Sequence, residues 1–352
     1  MGILNLGTRP ARFRGMVGTG GIGHGSFFLL DGNETLGREE SRAGRYLERR
    51  DYCKLHIVSH YAKALLGDDF AVFPIGKVGD DEAGTRLISE MKSAGLEMSF
   101  VGRVSGRPTL HSFCFLYPDG SGGNLTTGNS ACGLVDPASI RAAERALAGL
   151  GSAGIALAVP EVSLSARSTL LALATQHGLF RAASFTRAEM REVRESGMLE
   201  MVDLLAVNLE EAAAAAGIAT MRAGSPNELV PEAAAALCRD HPRLLLSITA
   251  GAAGSWAWDG RALAHEPALP VTAEGTAGAG DAHFAGVLAG LAAGLRLPES
   301  LELAALVAAA SVTSVHTINM GITAASLFAL CGLRPGVSER MTALLDNPNG
   351  RS

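Results

Sequence analysis

The chain has 352 residues, of which 47% are hydrophobic, 18% charged and 5% aromatic, and a formal net charge of −5. That balance buries a large core and rules out wholesale disorder, and it offers no general attraction to nucleic acid or to an anionic membrane surface. No apolar run reaches the roughly 18 residues of a membrane-crossing helix, and five scattered cysteines, Cys53, Cys114, Cys132, Cys238 and Cys331, form no Cys-x-x-Cys pair, which argues against a disulfide framework or zinc site and for a reducing, cytoplasmic setting.

Residues 1–14 carry three arginines and lack the apolar run of a secretory leader, so 1–15 reads as a flexible arm. A strand is predicted at 15–18; glycines follow, and a second apolar stretch over 26–30 ends in Asp31-Gly32-Asn33, a tight-turn signal. Residues 38–50 are charged and without pattern. Within 52–66, Leu55, Val58, Ala62 and Leu65 recur at helical spacing, and Gly67 ends the helix. A strand over 70–75, a turn over 76–79 and a helix over 80–94 come next. Strands over 100–104 and 111–117 follow, then a turn cluster over 118–123. From Pro137 the rhythm is regular: helix 138–150 to strand 154–159, helix 163–177 to strand 179–184, helix 187–198 to strand 203–207. Helices 209–216 and 231–240, strand 243–248 and a hairpin around 254–264 continue it. Helices over 279–294, 299–314 and 321–332 precede a polar tail over 336–352. This alternation predicts an α/β fold, a three-layer α/β/α sandwich around a mostly parallel sheet, with a small β element from the first third on its edge.

The densest chemical signal is Glu274-Gly275-Thr276-Ala277-Gly278-Ala279-Gly280-Asp281, a glycine-rich turn opening directly into a long helix. Gly278, Ala279 and Gly280 present backbone N–H groups without side-chain obstruction, and aligned amides together with the helix dipole attract an anion. Asp281, in the first turn, is placed to take a proton from a hydroxyl that becomes a nucleophile. An anion site beside a carboxylate is what phosphoryl transfer to an alcohol requires. A plain N-terminal Asp after a glycine loop is the bland account of the same residue.

Thr276, Gly278, Ala279, Gly280 and Asp281 match the signature D-T-x-G-A-G-D, and in this the chain resembles the ribokinase-like, or PfkB-type, carbohydrate and nucleoside kinases. Three further stretches match in family order: Gly76-Lys77-Val78-Gly79-Asp80-Asp81 with Gly84, Asn208-Leu209-Glu210-Glu211, and Thr249-Ala250-Gly251-Ala252-Ala253-Gly254. They are similar to a structural turn, to the N-x-x-E motif and to the T-x-G-x-x-G turn bordering the nucleotide. The resemblance covers 16–335 and implies a ribokinase-like kinase domain with a lid drawn from 26–50 and 107–127. It implies an enzyme that moves the γ-phosphate of ATP to a hydroxyl of a sugar, nucleoside or related small molecule. Asp281 would be the catalytic base, and Gly278, Ala279 and Gly280 the anion hole. Asn208 and Glu211 would order Mg²⁺, through water, and Thr249, Gly251, Gly254 and Thr276 would flank the nucleotide. Hard oxygen ligands suit Mg²⁺. The resemblance also implies a homodimer joined through the lid. Gly275 stands where the family has an Asp that helps bind a monovalent cation, so that cation stays an open question.

The acceptor side departs from the family pattern. Val17-Gly18-Thr19-Gly20-Gly21-Ile22-Gly23-His24 has glycine near the Asp that grips sugar hydroxyls, and Asp51-Tyr52-Cys53-Lys54-Leu55-His56 stands in place of G-G-x-x-x-N. Gly20, Gly21, Asp31, Lys54, His56 and, at a strand end, Ser184 are the acceptor-contact candidates, each with an ordinary surface, capping or core role as its competitor. Two other readings stay open. The altered acceptor signatures fit a non-catalytic ligand-binding or regulatory protein on the kinase fold. Gly18-x-Gly20-x-x-Gly23 after a strand fits a NAD-binding oxidoreductase, although 24–37 lack the helix that a Rossmann unit needs next.

Overall fold

The computed structural model describes residues 2–6, 11–218, 224–334 and 336–346. Thirteen strands form among the described residues: β1 Gly15–Thr19, β2 Gly23–Leu30, β3 Gly44–Tyr52, β4 Ala71–Gly79, β5 Val101–Val104, β6 Leu110–Leu116, β7 Gly122–Thr126, β8 Gly154–Ala158, β9 Phe180–Ala183, β10 Leu204–Asn208, β11 Leu245–Thr249, β12 Ser255–Trp258 and β13 Leu263–Glu266. Nine make one sheet in the order β13-β12-β11-β10-β9-β8-β1-β4-β5, and four make a second in the order β3-β2-β6-β7. Pairing in the large sheet is parallel from β11 through β5 and antiparallel in the β12–β13 extension.

β1 and β8 are buried along their whole length, as strands at the centre of a doubly covered sheet must be. Successive residues feed opposite cores: Met16, Ile155, Leu157 and Leu204 join one, and Val17, Ala156, Ala158 and Leu205 the other. Helices Lys54–Leu66, Ala279–Ala292 and Leu297–Val312 close the first core, and Leu164–His177 and Pro226–Asp240 close the second. This is the expected three-layer sandwich, with the small sheet as a lid. In helix Ala279–Ala292, 11 of the 14 residues are buried, which marks a helix enclosed nearly all round. Each large side chain in it, such as Phe284 or Leu288, contributes about 1.5–3 kcal/mol by leaving water, so the mouth of this helix is rigidly held.

Several expectations are corrected. Residues 38–50 contain β3, an edge strand whose alternating charges suit a sheet border. The turn expected at 76–79 is the end of β4; a Cβ on Gly79 would stand 2.5 Å from the Thr109 amide, so this glycine serves close packing. Residues 122–126 form β7. The helix over 138–150 divides into Pro137–Arg141 and Glu144–Leu150. The expected loose arm is docked where it is described: Ile3 and Leu4 donate to the Ala64 and Leu65 carbonyls, and Leu4 and Phe13 are buried. Residues 1 and 7–10 of that arm, and 347–352 of the tail, lie outside the described residues. Earlier in the tail, helix Glu339–Leu345 buries Met341 and Leu345. The dinucleotide reading of Gly18, Gly20 and Gly23 fails, because β1 leads into β2 and not into a helix. No helix among the described residues is long and apolar enough to cross a membrane.

Candidate active site

Four parallel strands, β8 to β11, end along one edge of the large sheet, the position where ligands gather in open α/β sheets. A cavity of about 250 Å³ opens there, lined by Lys54, Ser184, Asn208, Glu211, Ser247, Thr249, Gly278, Gly280, Asp281 and His283 among others. Helix Ala279–Ala292 points its amino end into it. Gly278 caps that end at φ 79°, a left-handed conformation that favours glycine, and no side chain caps the helix. A Cβ at 278 would also stand 2.8 Å from the Thr317 carbonyl oxygen, whereas one at 280 would meet nothing within 4 Å. The Ala279 amide leans on the Thr276 carbonyl at 3.3 Å.

Asp281 faces Lys54, with Nζ 3.2 Å from Oδ1. β3 and the helix Lys54–Leu66 are separated only by Cys53, so Lys54 sits at the point where the lid joins the main body. Its ammonium also donates to Ser184 Oγ at 3.1 Å. Burial opposes the charge on Lys54, but Asp281 and Glu211 outweigh it and hold its pKa above the ordinary lysine value. Two of the six acceptor candidates, Lys54 and Ser184, are thus brought to Asp281.

Asn208 and Glu211 form a reciprocal capping box: each side chain accepts from the other's amide at 2.9 Å. The bland capping role of Asn208 is therefore real, and both side chains still line the cleft. Burial raises the Glu211 pKa and Asp281 adds to it, while Lys54 and the Asn208 amide oppose. No group of three or more His, Cys, Asp or Glu among the described residues could hold a metal by itself. One carboxylate with an amide oxygen fits a Mg²⁺ ion that keeps most of its waters and leans on a substrate's phosphates.

Other expected residues lie elsewhere. Asp31 is exposed at the far end of β2, where its amide bonds Ala43. His56 is fully buried on the core side of its helix, 4.5 Å from the Tyr52 ring, because the helical turn that aims Lys54 at the cleft aims residue 56 away. Gly20 and Gly21 are buried too; a Cβ on either would collide, with Val159 and with the Glu161 carboxylate respectively. Thr249 lines the cleft, Thr276 and Gly251 are exposed and outside its lining, and Gly254 makes room for the Glu266 carbonyl of β13.

The sequence reading misses Ser247, Asp51 and Glu161, and it takes His283, two residues after Asp281, as a buried, hydrogen-bonded histidine. Ser247 Oγ and His283 Nε2 line the cleft, buried and without hydrogen-bond partners; burial pushes His283 down to about 4, so its ring is neutral at pH 7. Asp51 and Glu161 lie toward the lid. Burial pushes Asp51 up to about 6, with Asp281 adding to it and bonds from the Tyr52 amide and Thr317 hydroxyl opposing. Burial pushes Glu161 up to about 7, with Asp281 and Asp51 adding and Cys53 and Lys54 opposing. Position after a parallel strand marks Glu161 in retrospect; Asp51 has no such local sign.

A family of known proteins has this same construction. The pfkB family carbohydrate kinase model matches residues 58–324. A ribokinase from Cryptococcus neoformans var. grubii serotype A in complex with ADP superposes with TM-score 0.71 and 21% identity, covering 91% of this chain and 99% of that one. Arabidopsis thaliana ribokinase complexed with ribose and ATP gives TM-score 0.69 and 17% identity, covering 90% and 98%. A Burkholderia thailandensis nucleoside kinase in complex with inosine gives 0.68 and 18%, covering 90% and 97%. These likenesses establish the ribokinase-like fold, and the family match over most of the chain goes further: the protein belongs to the pfkB family of carbohydrate kinases.

Proposed function

We propose that this kinase transfers the γ-phosphoryl group of ATP to a hydroxyl of a sugar, nucleoside or related small molecule, with Asp281 as the base. The observation that carries this is the pairing of Asp281 with Lys54 in a cleft at an uncapped helix mouth. The acceptor oxygen attacks the γ-phosphorus, the bond from that phosphorus to the β–γ bridging oxygen breaks, and ADP leaves. The acceptor's proton passes to Asp281 Oδ. The amide of Gly280 and the positive end of the helix face the charge spread over the transferring group. Lys54 holds the Asp281 carboxylate in place by their ion pair until the hydroxyl arrives. Asn208 and Glu211 would hold Mg²⁺ through its waters; when bound, that ion neutralises phosphate charge. The lid of β2, β3, β6 and β7 covers the acceptor and excludes water, which limits ATP hydrolysis. Neighbours captured with ADP, with ribose and ATP, and with inosine support both substrate classes. Gly275 offers no carboxylate to a monovalent cation, so the dependence of the rate on such a cation is an open question.

The decisive experiment is Asp281→Asn, assayed for ATP binding and for transfer to a panel of sugars and nucleosides. Retained binding with transfer reduced about 10²–10⁴-fold, the scale of general-base catalysis, is expected. Undiminished transfer sinks the mechanism. Nucleotide binding by the wild-type protein without turnover on any acceptor would instead favour a non-catalytic binding protein.

A further inference from the structure

We propose that the acceptor is a hydroxyl compound that also carries a positively charged amine, held by Asp51 and Glu161; this rests on the kinase reading above. The first support is steric. The glycines that open the lid are positioned against these two acids: a Cβ at Gly21 would collide with the Glu161 carboxylate, and one at Gly25 with that of Asp51, its cross-strand partner. The chain has removed side chains there to admit carboxylates. The second is an orphan. Glu161 Oε2 is sealed from solvent and has no hydrogen-bond partner, although nearly all buried polar atoms have one.

The third support is charge. Asp51 stands at the end of β3 just before Lys54, whose ammonium faces Asp281, and Asp281 raises the pKa of both Asp51 and Glu161, so the three acids are electrostatic neighbours beside the cleft. Lys54 is the cation among them, and its ammonium already faces Asp281. Arg49, on the same lid strand, lies with its guanidinium 5.7 Å from the Phe27 ring centre. Asp51, Glu161 and Asp281 thus share the one ammonium of Lys54, a costly arrangement unless a ligand supplies a second positive charge. A neutral diol offers hydrogen bonds but leaves the charge uncompensated. An ammonium offers three donors and the missing charge together.

Matched pairs test this: glucosamine against glucose, galactosamine against galactose, and 3-amino-1,2-propanediol against glycerol. Each pair is measured by calorimetry on the wild-type protein at pH 7.5 and in an ATP-coupled assay. The amine member is expected to bind at least tenfold more tightly in at least one pair, with the same direction in kcat/KM. Asp51→Asn and Glu161→Gln should each shrink that ratio at least fivefold, and Asp51→Glu should restore part of it. Equal or tighter binding of the hydroxyl members in all three pairs, or a ratio unmoved by both substitutions, overturns the proposal; so does the absence of binding by every amine at 20 mM. Amine preference in calorimetry with no phosphate transfer supports the amine site and overturns the kinase reading alone.

Discussion

On the proposed reading, the phosphate end of the cleft and its acceptor end are built in opposite ways. The groups assigned to the phosphate end come in short contiguous stretches, Gly278 to Asp281 and Asn208 to Glu211, each at the start of a helix. At the acceptor end they converge from a lid strand (Asp51), a helix start (Lys54) and a loop after β8 (Glu161), and side-chain charge dominates. A site made of backbone is fixed by the fold and tolerates few changes. A site made of converging side chains can be retuned one residue at a time, which is how one family serves many acceptors.

Substitutions at the two ends should therefore fail in different ways. The largest effect belongs to Asp281→Asn, through kcat, as set out above. Next is Lys54→Met, which removes the cation beside the base; a fall in kcat of about 10²-fold is expected, on the scale of losing one preorganised charge partner. A change confined to KM would place Lys54 on the acceptor side of the divide only. Smaller still is Gly21→Ala, which displaces the Glu161 carboxylate. The acceptor KM should rise about tenfold, the worth of a charged hydrogen bond, while the KM for ATP stays put; a parallel rise in both would erase the distinction between the ends. The smallest effect is on stability against pH. Glu161 titrates at about 7 in the folded chain, above its usual 4.5, so its proton stabilises the fold, and that stabilisation is lost as pH rises through 7. Between pH 8 and 6.5 the wild-type melting temperature should thus rise by about 1 °C relative to that of Glu161→Gln. The buried His56, His60 and His283, whose pKa values are all lowered by burial, work in the opposite direction as pH falls toward the ordinary histidine value of 6.5, and they do so equally in both proteins, so the difference between the two melting curves isolates Glu161. Identical profiles for the two proteins would remove Glu161 from the acidic cluster.

The same contrast governs what could be read from the chain. The parallel sheet announced itself through runs such as 154–158 and 204–207, where every residue is apolar and small enough for a doubly covered strand. The helix mouth at 278–281 was legible because its chemistry is local. β3 was not, because its charged, alternating residues become a strand only through pairing with β2. Asp31 and His56 were chosen for residue type, but the first ends at the lid tip and the second turns into the core. Asp51 and Glu161 were invisible because their partners, Gly25 and Gly21, are glycines far along the chain, and a missing side chain gives no chemical signal of what fills its place.

The single residue between β3 and the helix of Lys54 has a consequence for timing. Lys54 begins a helix that is packed into the main core, so a lid displaced toward solvent would take Asp51 with it while Lys54 and Asp281 stay paired. On the proposed mechanism no hydroxyl would then be aligned with the base, and bound nucleotide would not turn over. Ordered addition, with the alcohol arming the machinery, is the expected kinetic signature, seen as negligible ATP turnover until an acceptor is supplied.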